Sequence, residues 1–348
     1  TAEIPADRSS YGAFDAIFDV VQKRTKGLIE QAGRSKDPES QAIANYYKAY
    51  LDTAAIEKLG LSPIKSDLEG IAAIKNVTDL SRVLGSQLRA DVDPLNSTNF
   101  YTPRLFGVFI SADFNNPTKN VPYLLQGGLG MPDRDNYLKT DDRSKELQTK
   151  YLAHIAKTLN LANIEDADVK AKRIFDLEVK IANAHASREE SADVHKANNP
   201  WQRADFAKKA PGIDWETYFK AGSLDKEPML IVWHPNATVG ESALVASEPL
   251  DVWKEYLTFR AIDGASGLLP AAFADESFDF YRKTLYGVPQ QATREQRAIN
   301  ATSNALGDAV GKLYVNKYFP ARAKAEIQTL VKNIVAAFGK RVDALDWM

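Results

Sequence analysis

Apolar residues return at three- and four-residue steps along most of this chain. Phe14, Ile17, Phe18, Val21 and Leu28 fall on one stripe and predict an opening helix over 10–31. A second helix is expected over 36–59, stopped by Gly60. A short helix over 67–74, another over 78–89 capped by Thr78-Asp79, and a break over 94–103 follow. Further helices are expected over 141–160, 166–188, 214–221, 250–262, 270–286 and 293–317. Within 166–188, Ile174, Leu177, Glu178 and Ile181 share one side. From 321 onward Ile327, Leu330, Val331, Ile334, Val335, Phe338, Val342 and Leu345 form a last stripe. It runs into Asp346-Trp347-Met348 with no Gly, Pro or polar tail, which predicts a helix cut from something longer.

Two segments keep a different period. Phe106, Val108 and Ile110 alternate with Gly107, Phe109 and Ser111, a strand pattern. Asn115-Asn116-Pro117-Thr118 predicts a turn, and 120–126 the returning strand of a hairpin. Met229-Leu230-Ile231-Val232-Trp233 is an apolar run with the length of a buried strand. Asn198-Asn199-Pro200 is read as a stop. The fold class is therefore mainly α, a multi-helix region over 1–348 with small β elements at 105–126 and 229–233.

Composition narrows the partners. Lys plus Arg is 44 against 46 for Asp plus Glu, so no basic footprint points to nucleic acid. No run of about 18 apolar residues predicts a transmembrane helix. Cysteine is absent, which removes thiol nucleophiles, thiolate metal sites and disulfides. Asn76, Asn96, Asn236 and Asn300 begin glycosylation triplets of the kind that arise by chance. The start, Thr1-Ala2-Glu3-Ile4-Pro5, is neither a signal peptide nor an initiator Met, which predicts trimming there too.

No complete catalytic set is visible. None of His154, His185, His195 and His234 pairs at i, i+4, so no H-E-x-x-H occurs. His185 with Glu189 one turn on is a candidate metal pair. The competing reading is a solvated contact. His154, beside Lys157, is expected at the surface, His195 in a loop, and His234, between an apolar run and Pro235, in a satisfied structural role. Gly127-Gly128-Leu129-Gly130 lacks the following Lys-Ser/Thr of a phosphate cradle and reads as a tight turn with positive φ.

One block is more specific. Leu125-Gln126-Gly127-Gly128-Leu129-Gly130-Met131-Pro132-Asp133-Arg134-Asp135-Asn136-Tyr137-Leu138 resembles the "GL-LPDRDYYL" segment of the neprilysin family of zinc metallopeptidases, which includes the endothelin-converting enzymes. Other blocks follow in the family's order. They are Ile4-Pro5 with Tyr11-Gly12-Ala13-Phe14-Asp15, then Tyr46-Tyr47 through Asp52, then Leu177-Glu178 through Ala182. Ser187 to Glu190, Asn198-Asn199-Pro200, Phe280 to Gly287 and Ala344 to Met348 complete the series. The likeness spans essentially the whole chain.

The resemblance implies a helical cap normally packed on a thermolysin-like catalytic half. Zinc and its H-E-x-x-H are expected there, beyond residue 348, with none bound by this chain. It implies a zinc endopeptidase or oligopeptidase acting on small peptides, with this chain enclosing the chamber, and an extracytoplasmic location. The expected partners are that catalytic half and peptide substrates. A non-catalytic helical peptide-binding module is the alternative. The family's carboxylate-binding Arg falls at Ser10, whose hydroxyl cannot replace a guanidinium fork, favouring plain endopeptidase action over dipeptide release. Asp15 matches the companion acid and is the candidate substrate-binding residue. The competing reading makes it a helix-start residue. Arg134 is expected to lock its loop through a neighbouring carboxylate.

Overall fold

The computed structural model describes residues 3–95 and 100–347. The expectations that fall on Asn96-Ser97-Thr98 and on Met348 lie outside the described residues. The chain forms two compact units, one from residues 1–56 with 288–348, the other from 57–287. The architecture is mainly helical with one small four-stranded mixed sheet.

In the first unit, helix Ala13–Ala32 packs with Pro38–Leu51, Arg294–Ala305 and Gly307–Tyr318. Ile29, Ile43, Tyr47, Tyr50, Ile299 and Val310 form its core. Arg294 fixes the distant segments together. Its Nε and Nη2 donate to the Tyr50 carbonyl at 3.0 and 2.6 Å, and its guanidinium lies 4.3 Å from the Tyr50 ring centre.

The helix expected over 36–59 is two helices, Pro38–Leu51 and Thr53–Leu59. Asp52 interrupts it with ψ at 76°, and its carboxylate accepts from the Ala55 N–H at 3.0 Å, starting a new helix. Gly60, at φ +55°, stands at the expected stop. The last helix, Ala321–Asp343, buries none of its residues. Ile327, Leu330, Val331, Ile334, Val335 and Phe338 are each more than half exposed, and so are Phe14 and Ile17 on the first helix.

In the second unit the hairpin pairs β1 (Phe106–Asp113) with β2 (Asn116–Gln126), Phe106 opposite Gln126. The sheet also holds β3 (Pro200–Gln202) and β4 (Met229–Val232) in the order β1-β2-β4-β3. β4 runs parallel to β2 and antiparallel to β3. Side chains alternate between faces. Phe106, Val108, Leu124, Leu230 and Val232 join the main core, while Phe109, Tyr123, Leu125, Ile231 and Trp233 join a second one. The stop at Asn198-Asn199-Pro200 holds, since the helix Val194–Ala197 ends there, and the same segment opens β3. Pro200 begins the strand, where a missing N–H is tolerated. Helices Asp142–Leu161, Ala167–Ala184 and Leu250–Ala265 contribute much of the main core, together with Val77–Ser86 and Trp215–Ala221.

Candidate functional site

The most organised polar region of the second unit surrounds residues 126–131, at the C-terminal end of β2. Side chains from distant segments hold its backbone. His234 Nδ1 accepts from the Gln126 N–H at 3.2 Å, and His185 Nε2 lies 2.9 Å from the Gly127 oxygen. Tyr256 donates to Gly128 O at 2.8 Å and Arg260 to Leu129 O at 3.0 Å. The Tyr137 hydroxyl accepts from the N–H groups of Gly130 and Met131 at 2.9 and 2.8 Å. Gly128 has φ +85°, as the tight-turn reading requires. A Cβ at Gly127 would collide with the Arg104 carbonyl, and one at Gly130 with the Tyr151 hydroxyl.

Beneath the loop lies Glu178, fully buried. It accepts from Tyr137 at 2.5 Å, from Tyr151 at 2.9 Å and from Gly130 N–H at 3.2 Å, and Arg260 Nη1 stands 4.0 Å away. Burial pushes its carboxyl above the usual range, against the pull of Arg260 and these donors. Its place on an apolar helix side signalled this burial in the sequence.

The histidines separate into two kinds. Because His234 Nδ1 accepts, its proton sits on Nε2, which donates to Ser191 Oγ at 2.9 Å. Ser191 therefore meets a donor and has no base to activate it. Burial, then the neighbouring His185, lowers His234 to about 3. His185 Nε2 is hydrogen-bonded to Gly127 O, and Glu241 Oε1 lies 3.0 Å away but buried without a hydrogen-bond partner. Burial lowers His185 to about 4 and pushes the fully buried Glu241 well up. Burial thus disfavours the charged form of both groups. Glu189 belongs to a separate helix, Arg188–Ala192, beyond the helix that His185 ends, so the two do not share one helix face as the candidate metal pair requires.

His154 is not at the surface, contrary to its sequence reading. It is 2 % exposed, with Nδ1 3.0 Å from Glu276 and Nε2 3.2 Å from Asp263. Lys157 reaches back to Glu276, and Tyr281 donates to Asp263 at 2.7 Å. Burial opposes the charged form, but the two carboxylates outweigh it and raise the pKa. The ring stacks 4.9 Å from Phe280 in the π-helical stretch Asp279–Thr284. His195 is exposed on the short helix Val194–Ala197.

Arg134 corrects another expectation. Its Nη1 donates to the backbone oxygen of His185 at 2.6 Å, not to a carboxylate. Asp133 is taken by Arg188, and Asp135 by Lys139.

In the first unit, Asp15 accepts from the Gly12 N–H at 2.8 Å, closing the N-terminus of the first helix. Arg8, to which the sequence reading gave no role, reaches within 4.0 Å of Asp15 and pairs with Asp19 at 3.0 Å. Tyr11 also donates to Asp19, at 3.1 Å. Ser10 is exposed.

Among the described residues no group of three or more His, Cys, Asp or Glu is placed to hold a metal ion. The ring nitrogens of His154 and His234, and Nε2 of His185, are engaged as above, so these residues do not fit a zinc site. No helix among the described residues is long and apolar enough to cross a membrane.

The family model for peptidase family M13, N-terminal part, matches residues 1–348. Endothelin-converting enzyme-like 1 from Mus musculus is 26% identical over 99% of this chain and 45% of its own length. Endothelin-converting enzyme 1 from Bos taurus is 24% identical over 99% of this chain and 46% of its own. The crystal structure of the Mycobacterium tuberculosis zinc metalloprotease ZMP1 in complex with an inhibitor superposes with a TM-score of 0.87 at 32% identity, covering 100% of this chain and 52% of that one. PepO from Lactobacillus rhamnosis, at 15% identity and a TM-score of 0.79, shares the fold. The chain spans about half the length of the relatives it matches.

Proposed function

Since the chain belongs to peptidase family M13, we propose that it is the non-zinc part of a zinc metalloendopeptidase that cleaves small peptides outside the cytoplasm. Residues 57–287 act as the chamber-enclosing cap. Residues 1–56 with 288–348 provide the seat for the zinc-bearing half and one substrate subsite at Asp15. When bound in that other half, zinc would supply polarisation of the scissile carbonyl and activation of water. This chain binds and excludes.

The observation that carries the reading is the last helix. Six large apolar side chains from Ile327 to Phe338 stand more than half exposed on one stripe. An apolar face of this kind marks a protein contact.

At the subsite, Asp15 has Arg8 as its nearest cation, where the family places an Arg at position 10. A guanidinium drawn toward Asp15 and Asp19 is partly neutralised by them. This supports endopeptidase action over capture of a terminal carboxylate.

The encoding gene read beyond codon 348 should continue into an H-E-x-x-H segment. Co-expression of that segment with residues 1–348 should give chelator-sensitive hydrolysis of a fluorogenic peptide, with neither piece active alone. A stop codon at 349, or a reconstituted pair without zinc-dependent hydrolysis, overturns the reading.

A further inference from the structure

We propose that Arg134 is the cation of a carboxylate-binding site within residues 57–287. The sequence sets Arg134 between Asp133 and Asp135, yet both are engaged elsewhere, by Arg188 and, at 3.0 Å, by Lys139. Among the described residues no carboxylate forms an ion pair with the Arg134 guanidinium. Nη1 is spent on the His185 carbonyl, and Nε is buried without a partner. Arginine recognises carboxylate through paired N–H donors, and this fork is incompletely used.

The space beside it is a cavity of about 40 Å³, which Arg134 lines with Tyr101, Gln126, His185, Arg188 and Ser191. That is roughly three times what a single water requires, enough for a carboxylate head but not for a peptide. The wall is rigid, because the 126–131 backbone is pinned by the tyrosines, histidines and Arg260 described above. Burial disfavours the charged form of His185 in that wall. Asp133, Arg134 and Arg188 together leave one positive charge unmatched. Arg188, 54% exposed, also lines the cavity, where it is paired with Asp133. The site needs only residues 57–287 and does not rest on the peptidase reading.

The test uses the 348-residue chain with labelled arginine side chains and follows the Arg134 Nε–H resonance. Acetate should shift it saturably, and acetamide, the neutral isostere, should not. Arg134→Lys keeps the charge without the fork and should weaken acetate about tenfold, the loss of one good charge-assisted hydrogen bond. N-acetyl-alanyl-alanine compared with amidated N-acetyl-glutamyl-alanine separates a terminal carboxylate from an acidic side chain. Binding of either supports the site, and the tighter one identifies the source. A shift of equal size with acetamide, an unsaturable drift with acetate, or acetate affinity unchanged in Arg134→Lys overturns it. The wild-type comparison of acetate with acetamide decides the matter if the variant does not fold.

Discussion

The Tyr137 hydroxyl donates its proton to Glu178 at 2.5 Å while accepting the N–H groups of Gly130 and Met131. One oxygen thus serves a buried acid and two loop amides. Tyr137→Phe should cost roughly 2–4 kcal/mol, because it strands several buried polar groups at once. Urea denaturation measures it. A change under about 1 kcal/mol would mean that water replaces the hydroxyl at no cost.

Gly130→Ala should be among the most damaging single substitutions. Its methyl would land on the Tyr151 hydroxyl and 2.7 Å from Arg260 Nη1, so the loss should be roughly 3 kcal/mol or more. Gly264 lies within helix Leu250–Ala265 with open space where its Cβ would go. Gly264→Ala should therefore stabilise by about 0.5–1 kcal/mol. Thermal melts of the two variants should move in opposite directions.

The buried neutral histidines make the chain acid-sensitive. His234 has its pKa lowered from 6.5 to about 3, so the unfolded chain binds its proton first as pH falls. The stability it contributes is present above 6.5 and is lost as pH drops toward 3. Glu241 titrates with the opposite sign, its contribution falling away as pH rises through its elevated pKa. Comparing His234→Gln with wild type cancels Glu241. The destabilisation by His234→Gln should be largest near pH 7 and shrink toward pH 3. A difference independent of pH would refute the assignment.

His154 reverses that dependence. Its pKa is raised, so its contribution is complete below 6.5 and lost as pH rises through the folded value. The His154 Cε1–H resonance should titrate above 6.5. Titration at or below 6.5 would show that Asp263 and Glu276 do not hold a charged ring. In His154→Gln the stability deficit should be greatest in acid.

Much of the fold was legible because burial follows period. The hairpin, the Met229 strand, the stop at Gly60 and the terminal apolar helix all follow from local pattern. β3 was not, since three residues carry no period and Pro200 resembles a stop. The site was harder still. His154 sits one turn from a lysine and looks exposed, but its partners come from positions 263 and 276, which no local window contains. Arg134 holds the His185 carbonyl and not a neighbouring carboxylate, because Asp133 and Asp135 are engaged by Arg188 and Lys139. Arg8 has no pattern to mark it, and only the first two turns of the helix bring Asp15 and Asp19 beside it.

The division of the chain fixes an order of synthesis. Residues 57–287 are continuous, so that unit can complete itself while the ribosome is still translating. Ile29 and Ile43 share a core with Ile299 and Val310, which emerge long afterwards. At 5–20 residues per second the first two helices wait roughly 10–50 s for half of their core. During that interval the unfilled face around Ile29 is open to chaperones and to other nascent chains. The opening helix therefore stays half covered until Ile299 and Val310 arrive to complete its core.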